Sequence, residues 1–187
     1  FIATPDHWHA PAAILALDAG KHVYVEKPCC HNIHEGGLMR AAVERTGKQL
    51  QVGTQSRSTE IVAEAMQRIH EGEIGEILVA KAWNSQKRRS IGHSKPSDPP
   101  ADLDFDTWLG PAPYVAYNAQ RTHINFRSYW DYDGGGLGDM GQHKLDPITW
   151  LLGKDDTSPV KIEANAPPTH PDVTGQWGWV RLTYADG

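Results

Sequence analysis

Three side chains in this sequence are of the types that move protons at a hydroxyl group. Lys27 follows a short apolar run, and Asp139 and His143 are four residues apart. A histidine beside a carboxylate suits general-base work, because the carboxylate orients the ring and stabilises its charged form. A partly desolvated lysine ammonium can hydrogen-bond a substrate hydroxyl and polarise it. From spacing alone, an exposed lysine and an ordinary helical i,i+4 pair explain the same residues.

A second group consists of cysteines and histidines, the side chains that most often bind zinc. Its members are Cys29, Cys30, His31 and His34, with His7 and His9 as further candidates. Thiolates and imidazoles bind zinc, but adjacent cysteines do not easily reach the same tetrahedral ion. We therefore predict no metal site. A disulfide between neighbouring residues is strained, so the two cysteines predict no stabilising framework and are compatible with a reducing compartment.

The first part of the chain alternates strand and helix patterns. Apolar periodicity predicts strands at 1–3, 22–25 and 49–53, with helices at 8–18 and 33–45 between them. This order is typical of half of a doubly wound parallel sheet, whose ligands bind at the carboxyl ends of the strands. Thr4-Pro5 and Glu26-Lys27-Pro28 both fall at such ends.

The rest of the chain predicts a second domain. Helices are expected at 59–70 and from the Gly134-Gly135-Gly136 run to Leu152, with strands at 77–83, 160–164 and 177–184. The polar, Pro-rich segment 85–106 predicts a surface or functional loop. We place the domain division at 1–57 and 58–187.

Composition and charge exclude some functions. The 187 residues are 39% hydrophobic and carry a net charge of −5, which gives no general attraction to nucleic acid or to an anionic membrane. No apolar run reaches transmembrane length, and the first residues do not read as a signal peptide. We expect a cytoplasmic protein, with export possible if a segment before Phe1 carries a signal.

Four segments together resemble the Gfo/Idh/MocA family of NAD(P)-dependent oxidoreductases. In chain order they are 3–9 (ATPDHWH), 20–28 (GKHVYVEKP), 52–57 (VGTQSR) and 134–143 (GGGLGDMGQH). The resemblance implies the second half of a Rossmann dinucleotide-binding domain. It also implies a following, incomplete α+β domain with a large, mostly antiparallel open sheet, and an active site between the two.

The resemblance also implies roles for individual residues. His143 would take the hydroxyl proton while hydride passes to NAD or NADP, Lys27 would polarise that oxygen, and Asp139 would position His143 or the sugar. Arg57 would join these three in binding substrate. The residues implied to contact the cofactor are Thr4, Pro5, His9, Glu26, Lys27, Pro28, Gln55 and Arg127. Arg127 follows Phe126, where the family pattern has Trp.

The implied substrate is a sugar, a polyol or a sugar derivative, and the implied assembly is a homodimer or homotetramer formed through the open sheet. The family's first βαβ unit, with its phosphate loop and the acidic residue that selects NAD or NADP, is expected before Phe1, so we expect this stretch alone to be inactive. Two alternatives stay open. One is NAD-dependent glycoside cleavage by transient oxidation and elimination, and the other is a non-catalytic sugar-binding domain.

Overall fold

A small parallel sheet lies at the start of the chain. The computed structural model describes residues 1–85, 91–168, 170–175 and 178–186. Strand β1 (Val23–Glu26) pairs in parallel with β2 (Leu50–Gly53). On the other side of β1, the Ile2 amide donates to the Tyr24 carbonyl (2.8 Å), and the Glu26 amide donates to the Ile2 carbonyl (2.9 Å). The carboxyl ends of all three segments therefore meet at one edge.

Two helices pack against this sheet. Helix α1 (His9–Asp18) follows a 3₁₀ turn at Asp6–Trp8, and α2 (Ile33–Thr46) begins where the Asn32 side chain accepts the Glu35 amide. Gly47 ends α2 with φ 63°, a conformation that favours glycine. The buried core residues shared by sheet and helices are Ala10, Ala13, Leu17, Val23, Val25, Met39 and Ala42. The predicted alternation of strand and helix is confirmed.

A second, aromatic core follows. Helix α3 (Glu60–His70), predicted at 59–70, buries only Met66, while Ile61 is 75% exposed. Helix α4 (Phe105–Leu109) begins at Asp104, whose carboxylate accepts the Thr107 amide at 3.0 Å. The buried members of this core are Phe105, Leu109, Tyr117, Phe126, Tyr129 and Tyr132.

The segment that carries Asp139 and His143 is helical but irregular. Leu137–Gly141 forms a π-helical turn, which continues directly into α5 (Gln142–Leu151). Gly153 follows the end of α5 with φ 62°, as the sequence predicts. In the described part of the chain, no helix has the length and apolar character needed to cross a membrane.

The second sheet is smaller than predicted. Strands β3 (Lys161–Asn165) and β4 (Trp179–Thr183) form an antiparallel pair, and no third strand joins them among the described residues. Residues 77–83, predicted as a strand, form none, and Leu78 is 82% exposed. Strand propensity depends on packing against neighbouring strands. No described segment pairs with 77–83, so its apolar residues do not form a strand. Trp177, the predicted start of the last strand, lies outside the described residues.

Candidate active site

Lys27 extends from the end of β1 towards the π-helical turn. Its Nζ lies 2.8 Å from Oδ1 of Asp139 and 3.1 Å from the Asp139 carbonyl oxygen. The two side chains are only 13% and 12% exposed. An ion pair this shielded from water is screened little by salt and holds both groups in place.

Asp139 lies between two cations. Besides Lys27, the Nε of Arg127 lies 3.6 Å from Oδ2 of the same carboxylate. The π turn needs small residues here, because a Cβ on Gly141 would come within 3.1 Å of the Gly136 carbonyl oxygen. The family resemblance implies that Asp139 positions His143 or the sugar, and in the structure its carboxylate pairs with Lys27. Helical spacing alone could not indicate this, because Lys27 is 112 residues away in the chain.

His143 and Lys27 line the same narrow cleft. The cleft measures about 10 Å³, roughly the space of one water-sized group, and its other walls come from Gln55, Gln142 and Asp146 among others. Burial lowers the pKa of His143, and the positive charge of Lys27 lowers it further. The imidazole is therefore neutral at pH 7 and able to accept a proton.

His9 does not offer a ring nitrogen to a ligand. Its side chain is 1% exposed, with Nδ1 2.6 Å from the Pro28 carbonyl oxygen and Nε2 2.8 Å from the Thr4 carbonyl oxygen. Cofactor contact by His9 stays a prediction, and in this structure both ring nitrogens face backbone oxygens. The ring thereby ties together the two loops that leave the sheet edge.

A second, larger cavity is lined by Thr4 and Pro5, which follow the first strand segment. It measures about 430 Å³, and Arg127 reaches it from the 3₁₀ turn His123–Ser128. Its wall also includes residues that were not singled out from the sequence: Leu103, Thr122, His123 and Ile124. His123 has φ 52°, unusual for a residue other than glycine, and the buried Thr122 hydroxyl has no hydrogen-bond partner among the described residues. The sequence carried no signal for Leu103, Thr122, His123 and Ile124, since they belong to loops and a short 3₁₀ turn with no periodic pattern.

Glu26 and Pro28, the other two predicted cofactor contacts of the Glu26-Lys27-Pro28 motif, lie with Lys27 at the carboxyl-end edge of the first sheet. The Glu26 carboxylate lies over the end of β2, where a Cβ on Gly53 would come within 3.1 Å of Oε2. The Lys27–Pro28 peptide is cis, and the Pro28 carbonyl is the one that faces His9. Neither side chain contacts Asp139 in the described hydrogen bonds.

Arg57 has partners that the sequence analysis did not foresee. Its Nε binds both carboxylate oxygens of Asp146 at 2.9 and 3.1 Å, and its two Nη atoms bind Asp155 at 2.9 and 2.7 Å. The guanidinium also lies over the Trp150 ring, 5.4 Å from its centroid. Substrate contact by Arg57 stays a prediction, and in this structure the side chain joins the turn after β2 to α5.

A set of polar contacts joins the first sheet to the aromatic core. The Asp6 carboxylate accepts the Gly134 amide at 3.3 Å, and the Trp8 indole donates to the Trp108 carbonyl at 3.1 Å. A Cβ on Gly110, at φ 49°, would lie 2.1 Å from the Trp8 ring, so only glycine fits there. These contacts hold the loop before Asp139 against the sheet edge that carries Lys27.

The glycines around Asp139 have the spacing of a dinucleotide-binding loop, but in the described part of the chain they do not lie between a strand and a helix. Gly136, Gly138 and Gly141 satisfy G-x-G-x-x-G. A phosphate loop of that type joins a strand to a helix, whereas these residues form a π turn that no strand precedes in the described chain. The match is therefore coincidental, and no phosphate loop is assigned to it.

Comparison with known proteins agrees with this arrangement. The Oxidoreductase family, NAD-binding Rossmann fold, matches residues 1–54, and the Oxidoreductase family, C-terminal alpha/beta domain, matches residues 81–187. Levoglucosan dehydrogenase of Pseudarthrobacter phenanthrenivorans is 31% identical over 153 residues, which are 82% of this chain and 32% of that protein. The scyllo-inositol 2-dehydrogenase (NAD(+)) of Bacillus subtilis is 35% identical over 82 residues, 44% of this chain and 24% of that protein.

A solved structure of levoglucosan dehydrogenase in complex with NADH and levoglucosan superimposes with a TM-score of 0.66 at 26% identity, covering 100% of this chain and 44% of that one. The chain thus spans less than half the length of these relatives. The fold is a Rossmann-like NAD-binding fold followed by a C-terminal α/β domain. The second match alone covers more than half of the sequence, and the chain belongs to the Gfo/Idh/MocA oxidoreductase family.

Proposed function

We propose that this chain forms the catalytic part of an NAD(P)-dependent oxidoreductase that acts on a hydroxyl carbon of a sugar, polyol or sugar derivative. One observation carries the proposal. The Lys27 ammonium, held 2.8 Å from Asp139, shares a narrow cleft with His143, whose pKa is lowered by burial and by that ammonium. A fixed cation and a neutral base around a hydroxyl-sized space are what alcohol oxidation needs.

The three side chains divide the work. A substrate hydroxyl in the cleft gives its proton to neutral His143, which becomes imidazolium. An ammonium has three N–H donors, and two of those on Lys27 have acceptors on Asp139 among the described residues. The third N–H is left for the substrate oxygen, where it stabilises the negative charge that develops as the proton leaves. Asp139 keeps Lys27 in that position.

The larger cavity fits the nicotinamide half of a dinucleotide. Pro5, Leu103 and Trp108 supply apolar walls, Arg127 supplies a positive charge, and the space is bordered by the Thr122 hydroxyl, which no described residue hydrogen-bonds. The residues that would hold the cofactor are Thr4, Pro5, Glu26, Gln55 and Arg127, with His9 behind them. When bound, the dinucleotide would supply the hydride acceptor for the carbon that is oxidised.

The names of the relatives support the substrate class. Levoglucosan dehydrogenase and scyllo-inositol 2-dehydrogenase both act, by their names, on polyhydroxylated rings. We therefore propose a sugar or polyol here as well. We also propose that the two domains divide between residues 57 and 58. We further propose that whole subunits form a homo-oligomer through the second sheet, where Ile162 is 64% and Trp179 50% exposed.

The test uses the full-length protein. NADH or NADPH formation is measured across a panel of sugars and polyols, and His143→Ala should lower kcat on the substrate found by about 10²- to 10⁴-fold. The matched control is His34→Ala, which removes an exposed histidine of α2 and should leave turnover unchanged. Dinucleotide affinity should stay near that of the wild type in both variants.

Three results would contradict the proposal. Release of a leaving group without net reduced cofactor would favour glycoside cleavage. Sugar binding without any dinucleotide binding would favour a non-catalytic domain. Near-normal turnover in His143→Ala would remove His143 from the catalytic set.

A further inference from the structure

The only two cysteines of the sequence are neighbours and follow Lys27 and Pro28 directly. The Sγ atoms of Cys29 and Cys30 lie 3.8 Å apart, and both thiols are free and partly exposed. Both side chains pack against the edge of the first core, which limits their freedom to move apart. The structure therefore holds two thiols within reach of one another and of small solutes.

The two thiols differ in acidity. The hydrogen bond between them stabilises a thiolate at Cys29 and lowers its pKa to about 7. The same bond, together with burial and the negative charge of Glu35, raises the pKa of Cys30. A thiolate next to a protonated thiol is the arrangement of a reactive cysteine and its resolving partner.

We propose that Cys29 and Cys30 form a redox-active dithiol, which a peroxide oxidises reversibly to a disulfide between the two neighbours. The Cys29 thiolate attacks one peroxide oxygen, the O–O bond breaks, and a sulfenic acid and hydroxide form. The hydroxide takes up the proton that Cys29 released on ionising and becomes the first water. The Cys30 sulfur then gives up its proton and attacks the Cys29 sulfur, the S–O bond breaks, and a second water leaves. The two sulfurs lose two electrons, and hydrogen peroxide becomes two waters.

The geometry makes this bond a reversible one. The sulfurs must approach from 3.8 Å to about 2.05 Å, a movement that side-chain rotation and a small backbone change supply. Neighbouring Cα atoms are about 3.8 Å apart, below the usual disulfide range of about 4.4–6.8 Å. The product is therefore strained and readily reduced, which suits a switch and does not suit a structural crosslink.

The position of the pair gives oxidation a consequence, which rests on the proposed function. The Pro28 carbonyl lies 2.6 Å from His9 Nδ1 and directly precedes Cys29. Closing a ring across residues 29 and 30 turns the backbone next to that contact, and Lys27 is one residue further back. Oxidised protein should therefore lose turnover and regain it with dithiothreitol.

The experiment reads the peptide and does not depend on turnover. Full-length protein is treated with hydrogen peroxide, its free thiols are alkylated, and the protein is digested with trypsin. Lys27 precedes proline and resists cleavage, so one peptide, residues 22–40, carries both cysteines. We expect this peptide to lose both alkylation sites and the mass of two hydrogen atoms, and to recover both after dithiothreitol.

Two variants and one probe complete the test. Cys29→Ser should slow thiol loss about tenfold at pH 7, because it removes the thiolate-forming cysteine. Cys30→Ser should let Cys29 proceed to sulfinic acid, since no resolving thiol remains. Phenylarsine oxide, which bridges two close thiols, should protect the wild-type peptide and neither variant.

Two results would overturn the proposal. One is a wild-type peptide whose cysteines both stay alkylatable after peroxide. The other is sulfinic acid formation at Cys29 as fast in wild type as in Cys30→Ser. Failure of the dehydrogenase assignment would appear instead as absent turnover with an unchanged peptide result, so the two proposals fail separately.

Discussion

Two ion-pair clusters join the end of the first sheet to the helical segment at 137–151, and they differ in how their cations are held. Arg57 places all three guanidinium nitrogens against Asp146 and Asp155. Lys27 gives two contacts to Asp139, and its third N–H has no acceptor among the described residues. The Arg57 side chain is 31% exposed, whereas that of Lys27 is 13% exposed.

The difference separates a structural contact from a reactive one. A guanidinium has five N–H donors, and the contacts of Arg57 use three of them, but two carboxylates on its three nitrogens neutralise its charge and fix its orientation against α5. A lysine with one free donor beside a neutral base can act on a substrate oxygen. The end of the first sheet and the segment around α5 thus carry both the clamp, Arg57 with Asp146 and Asp155, and the proposed reactive pair, Lys27 with His143.

Replacing Lys27 is the most direct test of the difference between the two ion-pair clusters. Lys27→Ala should lower kcat of the full-length enzyme by about 10²- to 10⁴-fold, because the cation that stabilises the substrate oxygen is lost. Initial rates at saturating cofactor and substrate measure this. Lys21→Ala removes an exposed lysine just before β1 and should leave kcat unchanged. Equal, small effects of both variants would make Lys27 a structural residue.

Replacing the partner of Lys27 should have an intermediate effect. Asp139→Asn keeps the size of the side chain but removes the charge that fixes the ammonium, and should lower kcat about ten- to hundredfold. A double variant with Lys27→Ala should be no slower than Lys27→Ala alone, since Asp139 acts through that lysine. Additive losses in steady-state rates would argue that Asp139 acts on substrate directly.

The clamp should matter more for stability than for rate. Arg57→Ala should lower the free energy of unfolding by about 1 kcal/mol, with kcat changed by less than about threefold. Thermal and urea unfolding measure the first quantity, and initial rates the second. Arg57→Lys should restore only part of the stability, because an ammonium cannot bind two carboxylates in the bidentate manner. A large rise in substrate KM alone would return Arg57 to the substrate site.

The smallest expected effects are shifts in pH dependence. The lowered pKa of His143 means that the base form persists below pH 6.5, so kcat/KM should hold near neutral pH and fall only in more acidic solution. Lys27→Met should raise the pKa of His143 by removing a nearby positive charge, and Asp139→Asn should lower it by removing a negative one. NMR titration of the His143 ring measures both directions. Arg57→Ala should leave the titration unchanged, and shifts of the same sign in the two charge variants would contradict this electrostatic account.

The elements of the first 57 residues could be predicted closely, because their signals are local. Gly47 ends α2 as predicted, and strands and helices alternate as the apolar pattern indicates. The prediction of a strand at 77–83 was wrong. Apolar residues indicate that a segment is able to pair in a sheet, but they do not show that a partner strand is present. The helix that carries His143 was predicted, but its first turn is π-helical, which no sequence pattern indicated.

Residue types and motif order were enough to select Lys27, Asp139 and His143, because chemistry depends on side-chain identity. Only the tertiary structure decided how they are connected. It paired Asp139 with Lys27, placed His9 between two carbonyl oxygens and set Arg57 against two carboxylates. The ion pairs of Lys27 and Arg57 join residues that are 112 and 89 positions apart in the chain. Long-range pairing of that kind depends on how the sheet edge and α5 pack together, and local sequence does not record it.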